Sequence, residues 1–382
     1  MWIRIINYLL KSKWKFSRPP NKPLLLVDGR SDPLKHYFNK SFYNILFRRG
    51  EEINFFVIFK CLIELDFKFK NYILNYIKFS KPKLLITSIH NYVGFYKLSK
   101  LTGIKTMFIQ SANVTKWGDL FGDKNITNRK NKRKFRVDYM LVFNSAIGKE
   151  FSKFISGKYF VIGSFKNNLV IKNYKKKNEI LFLSTYKPLE HSSQIINNIK
   201  AFKFTINDKK LLLRIIELSK KKKLKLNILG KQDTIQESNM EEIYYRKILG
   251  KNLRFIKNFS GRETYKIIRK FKYVLNIDST LGLENFSSGG RTGFIFNRPY
   301  INIIKSRAFG YLENLGRKGP FWTSYNDVKE VDRVFNFVVN TNDKKWSYIH
   351  KSYQNKVMPQ DKNNKTFISI LKDEIGIKKS DE

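Results

Sequence analysis

Residues 273–299, YVLNIDSTLGLENFSSGGRTGFIFNRP, read as strand, loop, short helix and second strand in one unbroken unit. Tyr273 to Ile277 is a short apolar, β-prone run of the kind a buried parallel strand shows, and Asp278-Ser279-Thr280 follow where that strand ends. Ser279 or Thr280 suits the N-cap of a helix, Leu281 to Ser288 supplies its turns, and Gly289-Gly290 supplies the stop. Thr292 to Phe296 is the next strand. In an open α/β sheet, a strand's carboxyl end facing a helix N-terminus presents free N–H groups and a positive dipole end, so an anion fits there. Thr280 and Glu284, four apart, share one helix face: a hydroxyl placed for a phosphate and a carboxylate placed for sugar hydroxyls. An ordinary helix cap followed by a solvated glutamate would use the same residues, so the rest of the chain has to decide.

The chain has 382 residues, long for one core and comfortable for two domains, and its 42% hydrophobic and 15% aromatic content excludes a wholly disordered protein. The only cysteine, Cys61, sits in an apolar run; this excludes a disulfide framework or cysteine metal site and suits a reducing cytoplasm. A net charge of +44, from 75 Lys+Arg against 31 Asp+Glu, is spread along the chain rather than confined to one module. It favours anionic partners in general: nucleotide sugars, acidic glycans or a lipid surface. No apolar run approaches the ~18 residues of a transmembrane helix. Residues 1–20 form a basic amphipathic segment, with Trp2, Ile3, Ile5, Ile6, Leu9, Leu10 and Trp14 among Arg4, Lys11, Lys13 and Lys15. Such a segment either lies in a membrane interface, as a peripheral contact with the anionic inner face of the cytoplasmic membrane, or packs on its own domain.

Outward from the opening stretch the chain alternates strand and helix. Leu24 to Val27 runs into the turn-rich Asp28–Pro33; Glu51 to Phe79 reads as mostly helical; Leu84 to Thr87 precedes a loop carrying His90; Thr106 to Ile109 precedes Gln110. Residues 112–136 read as a long exposed loop, and strands at Asp138–Phe143 and Tyr159–Ile162 complete a first unit. A linker at 166–178 follows, and the alternation restarts with strands at Ile180–Leu183, Leu226–Leu229 and Leu253–Ile256. GRKGPFW is expected to be a loop, and helices are expected at Asp327–Val339, Lys345–Asn355 and Lys365–Glu374. The fold class is thus α/β: two Rossmann-like doubly wound domains, residues 21–165 and 179–325, with a C-terminal helical tail at 326–382.

Several chemistries are absent from the sequence. There is no G-x-G-x-x-G after the first strand of either half and no P-loop signature, no nucleophile elbow, and His36, His90, His191 and His350 lack metal-ligand spacing.

The stretch YKIIRKFKYVLNIDSTLGLENFSSGGRTGFIF resembles the C-terminal donor-site region of GT-B glycosyltransferases. With GRKGPFW, KKWSYIHKSY and MPQDKNN it most resembles the bacterial surface carbohydrate biosynthesis protein family, over residues 253–370. The resemblance implies a metal-independent transferase acting on a nucleotide-sugar donor and a polysaccharide or lipid-linked acceptor. It implies that Ser279 and Thr280 contact the donor phosphates and that Glu284 contacts the ribose or sugar hydroxyls. Lys231 is placed to pair with a phosphate, and Ser184 and Thr185 follow the second domain's first strand, where GT-B donors pass. The chain lacks the paired glutamates of many retaining GT-B enzymes, since position 291 is Arg and position 276 is Asn.

An inverting reaction needs a general base from the first domain, and Asp28, His90 and Asp32, in that order, sit at strand ends where a base would reach an acceptor hydroxyl. Each also suits a turn or a structural hydrogen bond, and Gln110 either holds the acceptor or caps the sheet. Two other readings stand beside the transferase. One is a sugar-nucleotide epimerase of related fold, which needs more convergent acid/base residues. The other is a basic nucleic-acid binder; it is not expected, because the basic runs at 128–136, 172–177 and 220–223 fall in loops and a helix end rather than along one stripe.

Overall fold

The computed structural model describes residues 12–28, 32–48, 51–114, 126, 128, 134–169, 174–186, 195–196, 199–200, 202–250, 253–258, 262–296, 315–325 and 327–376. Most of the expected amphipathic segment (1–11), most of the loop at 112–136, part of the linker (170–173), positions 187–191 with His191, and 297–299 lie outside the described residues.

The first sheet contains β1 (Leu24–Val27), β2 (Tyr43–Leu46), β3 (Leu84–Thr87), β4 (Lys105–Ile109), β5 (Arg136–Val142) and β6 (Ser156–Val161), all parallel, in the order β2-β1-β3-β4-β5-β6. Every residue of β1 and β3 is buried, which is why both strands read as unbroken apolar runs. Packed with this unit are α1 (Phe55–Ile63), α2 (Phe69–Ser80), α3 (Leu98–Thr102) and α4 (Ser145–Phe154). Asn54 and Asn144 cap α1 and α4, accepting from Val57 N at 3.1 Å and Ile147 N at 2.9 Å.

Strand β2 was not anticipated. Asn44 interrupts its apolar pattern, and only tertiary structure gives the Asn44 amide its acceptor, Pro20 O at 2.6 Å. The mostly helical reading of 51–79 is corrected at its start, where Glu52–Asn54 pairs in parallel with Lys13–Lys15 before α1 begins.

The second sheet contains β7 (Lys177–Leu183), β8 (Leu226–Leu229), β9 (Arg254–Ile256), β10 (Phe271–Asn276), β11 (Arg291–Ile295), β12 (Lys318–Gly319) and β13 (Trp322–Thr323), in the order β9-β8-β7-β10-β11-β13-β12. The pairs are parallel except β12 with β13, an antiparallel hairpin formed by the GRKGPFW stretch expected as a loop. Around it lie α5 (Phe202–Lys221), α6 (Ile235–Leu249), α7 (Arg262–Ile268), α8 (Thr280–Ser287), α9 (Val328–Asn340) and α10 (Asp343–Val357), and α11 (Lys365–Ile375) ends the described chain. From β7 the chain winds outward through β8 and β9, then returns to β10 on β7's other side. The crevice at the carboxyl ends of β7 and β10 is therefore a topological switch point, where open α/β sheets bind ligands.

The C-terminal helices of the expected tail pack back onto both domains. Trp346 of α10 donates to Gly289 O at 3.2 Å just beyond α8, and α11 returns to the first domain. There Phe367, Ile370, Leu371 and Ile375 share a buried cluster with Leu24, Leu26, Leu84 and Ile86. Asn364, ahead of α11, fixes the return: its amide donates to Tyr37 OH at 2.8 Å and Phe165 O at 3.0 Å and its Oδ1 accepts from Asn168 at 2.7 Å. Gly163 permits the crossing, because its φ is +67° and a Cβ there would fall 1.8 Å from Pro359 O.

Candidate functional site

The turn from β10 into α8 is built on Asn276. Its Oδ1 accepts from Ser279 N at 3.1 Å and its amide donates to Gly293 O at 3.1 Å in β11, so one side chain both starts the loop and braces the next strand. Gly282 packs against that amide; a Cβ at 282 would lie 2.5 Å from Asn276 Nδ2, which accounts for the glycine in Thr-Leu-Gly. Ser279 is the N-cap of α8, and its side chain makes no capping hydrogen bond to the helix. The start of the helix, Ser279 to Leu281, lines a cleft of about 430 Å³ at the switch point.

Five of the six donor residues expected from sequence line this cleft: Ser184 and Thr185 after β7, Lys231 after β8, and Ser279 and Thr280. Lys231 is exposed at its rim. The hydroxyls of Ser184 and Thr185 are turned to protein partners. Thr185 donates to Asp208 at 3.0 Å, while Ser184 donates to Glu241 and accepts from Tyr245 OH at 2.8 Å and Tyr186 N at 3.1 Å.

Glu241, which sequence reasoning missed, organises this wall. It is fully buried in α6 and accepts from Lys231 N at 2.9 Å and Gln232 N at 3.0 Å as well as from Ser184. Burial raises its carboxyl above the usual range, against the opposing pull of those donors. One carboxylate thus ties together the loops after β7 and β8 and sets where Lys231 leaves the backbone. No sequence signal marks it, since Met240-Glu241-Glu242 resembles any solvated helix stretch.

Glu284 departs from the expected arrangement. It is not among the residues lining the cleft, and its carboxylate is buried between the domains, accepting from Ser164 Oγ and from Tyr265 OH at 2.9 Å. Burial pushes the Glu284 carboxyl up to about 7, with the two hydroxyls and the charges of Lys166 and Arg269 pulling the other way. Asn167 extends the tie, donating to Glu284 O and Ser288 Oγ, each at 3.0 Å, and accepting from Arg269 at 2.9 Å. In this structure Thr280 faces the cleft and Glu284 faces the domain junction.

The first-domain candidates separate clearly. Asp28 is buried with φ +66° and paired with Arg48 at 3.3 Å, whose guanidinium lies 3.2 Å from the Tyr92 ring centroid. Asp32 accepts from Leu34 N at 3.1 Å, Lys35 N at 3.2 Å and Tyr43 OH at 2.6 Å, the pattern of a structural cap. Gln110 caps the sheet, accepting from Phe143 N at 2.8 Å and donating to Ala112 O at 3.0 Å. His90, buried after β3, stands with Nδ1 3.4 Å from Ser111 N, on the same loop as Asn113. Asn113 N in turn donates to Thr280 Oγ1 at 3.1 Å across the two domains. Of the three base candidates, His90 is the one this contact chain joins to the cleft. Among the described residues no group of three His, Cys, Asp or Glu could hold a metal ion, and no helix is long and apolar enough to cross a membrane.

Two parallel, doubly wound domains with a crevice at the switch point of the second and a terminal helix returning to the first define a GT-B-like protein. Residues 107–375 match the family described as "putative O-antigen biosynthesis protein", and the chain belongs to that family. No curated protein sequence matches it. Among solved structures it resembles Staphylococcus aureus MnaA with UDP (TM-score 0.55, 10% identity, covering 94% of this chain and 100% of the other). It also resembles a "putative UDP-N-acetylglucosamine 2-epimerase" from Listeria monocytogenes (0.54, 10%, 94% and 98%). Acinetobacter baumannii MurG overlays at TM-score 0.48 with 10% identity over 93% of this chain and 100% of the other. At such identities the likeness is one of fold.

Proposed function

We propose that this chain is a glycosyltransferase of surface-polysaccharide assembly, seating a nucleotide-sugar donor in the β7–β10 cleft and passing the sugar to a glycan or lipid-linked acceptor on the first domain. The observation that carries the reading is the N-terminus of α8, without a capping bond from Ser279, on the cleft at the switch point, with Thr280 and Lys231 on the same cleft. The positive end of the helix dipole and an ammonium group meet a diphosphate's charge without a metal ion, and they gain strength as a leaving nucleotide takes up negative charge. His90 serves as the general base in this reading, supported by its Nδ1 lying 3.4 Å from Ser111 N on the loop that reaches Thr280. Glu284 serves as an interdomain tie rather than a sugar ligand while Ser164 holds it.

The likeness to an epimerase supports a second reading, in which the same cleft holds the nucleotide sugar and inverts a ring carbon. That chemistry asks for acid/base groups on both faces of the carbon, and the only carboxylate among the described lining residues is Asp278. Family membership also favours polymer assembly. Thermal-shift screening of CMP-, UDP-, GDP- and dTDP-linked sugars tests the donor site. One nucleotide class is expected to raise Tm, with the rise lost in Lys231→Ala; no response to any of them would refute the assignment.

A further inference from the structure

Helix α1, FFVIFKCLI, is apolar on both faces. Val57 and Cys61 face the core, while Phe55, Phe56, Phe59, Leu62 and Ile63, at positions i, i+1, i+4, i+7 and i+8, face outward and are exposed. A surface helix ordinarily turns charge to solvent, and a helix apolar all round belongs in a second apolar phase. The loop into α2 continues the surface, with Ile63 61% exposed, Leu65 83% and Phe67 67%, and Phe16 (71%) joins it, its ring 5.7 Å from that of Phe55.

The charges within this patch are arranged selectively. Glu64 and Asp66 are held by internal donors: Glu64 accepts from Asn71 at 2.9 Å and Asn75 at 2.6 Å, both on α2, and Asp66 accepts from Lys68 N at 3.1 Å in its own loop. These donors and Lys60 hold the Glu64 carboxyl down to about 2. Leu65 between them takes a left-handed backbone, φ +50°, which a bulky side chain rarely adopts and which here leaves it projecting. Lys13, Arg18, Lys68, Lys70 and Lys78 are exposed on the segments before and after α1, and Arg18 lies over the ring of Phe79, which is 5.0 Å from that of Phe56.

We propose that this face, centred on α1 and the Leu65–Phe67 loop, docks the first domain onto an anionic lipid bilayer. Exposed apolar side chains with cations on the neighbouring segments, and with the carboxylates of Glu64 and Asp66 satisfied internally, match a headgroup interface carrying negative charge. The chain's net charge of +44 adds attraction at longer range. Residues 1–11 are of similar basic and apolar composition in sequence. The patch stands apart from the donor cleft, so docking and nucleotide binding fail independently.

The test is co-sedimentation of the full-length protein with vesicles of phosphatidylcholine alone and of phosphatidylcholine with phosphatidylglycerol. Binding to the anionic vesicles is expected, weakening with salt, and falling at least tenfold in Leu65→Glu/Phe67→Glu while Tm and donor binding are unchanged. A full-length Ile5→Glu/Leu9→Glu variant reads out residues 1–11 separately and is expected to weaken binding less than the patch variant. No binding to anionic vesicles would overturn the proposal. So would undiminished binding by the folded patch variant, binding lost only in the Ile5/Leu9 variant, or self-association that the patch variant abolishes without vesicle binding.

Discussion

Thr280 Oγ1 accepts a hydrogen bond from Asn113 N at 3.1 Å, joining the first residue of the donor-side helix to the loop that follows β4 in the other domain. One hydroxyl therefore belongs both to the proposed phosphate site and to the contact between domains. Thr280→Val keeps the shape and removes the acceptor. It is expected to cost about 1 kcal/mol in denaturant unfolding and also to weaken donor binding in titration. A stability loss with unchanged donor affinity would confine Thr280 to the interdomain contact.

Glu241→Ala leaves two backbone N–H groups and the Ser184 hydroxyl without their buried acceptor. A loss of about 3 kcal/mol is expected in denaturant unfolding, together with loss of nucleotide binding as the Lys231 loop is released. Glu241→Gln retains an acceptor oxygen and should recover part of both.

The Glu284 carboxyl, ordinarily near 4.5, is raised to about 7 in the folded protein. The native state therefore holds a proton that the unfolded chain releases. The stability this contributes is complete below the unfolded value and is lost as pH rises through the folded one, about 3 kcal/mol in all. His350, lowered by burial, works in the opposite sense, its contribution fading as pH falls below 6.5. The comparison with Glu284→Gln isolates the carboxylate: between pH 5 and 8 the wild type should lose stability relative to the variant. Parallel curves would place Glu284 outside this titration.

His90→Gln should reduce kcat by about 100-fold or more with donor affinity unchanged, as expected for removal of a general base. Asp32→Ala, which removes the acceptor for Leu34 N, Lys35 N and Tyr43 OH, should instead lower stability by about 1 kcal/mol and leave kcat near wild type. The opposite pattern would exchange their roles.

Phe367→Ala tests the return of the chain to the first domain. Phe367 is fully buried with its ring 5.0 Å from Phe165 and 5.5 Å from Tyr37, and its truncation should cost about 3–5 kcal/mol in denaturant unfolding. A cost under about 1 kcal/mol would mean α11 adds little to that core.

How far these features were legible in sequence depended on how local their causes are. Strands β1, β3 and β8 have the bounds their apolar runs announce, because burial on both faces leaves no other pattern. The turn from β10 into α8 was readable because Asn276, Ser279, Thr280 and Gly282 act within a few residues of one another. Strand β2 was obscured by Asn44, whose partner lies across the fold. Ser184 and Thr185 were placed on the cleft, but the direction of their hydroxyls depends on Glu241 and Asp208, which no local rule connects to them. Glu284 was expected at the sugar from its spacing to Thr280, and what decides its direction is Ser164, 120 positions earlier.

The most direct measurement of the central claim is product analysis on the nucleotide sugar that raises Tm, incubated with the full-length protein and a membrane glycolipid extract. The account predicts that free nucleotide accumulates and that the labelled sugar moves into the glycolipid fraction, both abolished in Lys231→Ala. Recovery of the nucleotide sugar as its ring epimer, with no free nucleotide formed, would contradict it.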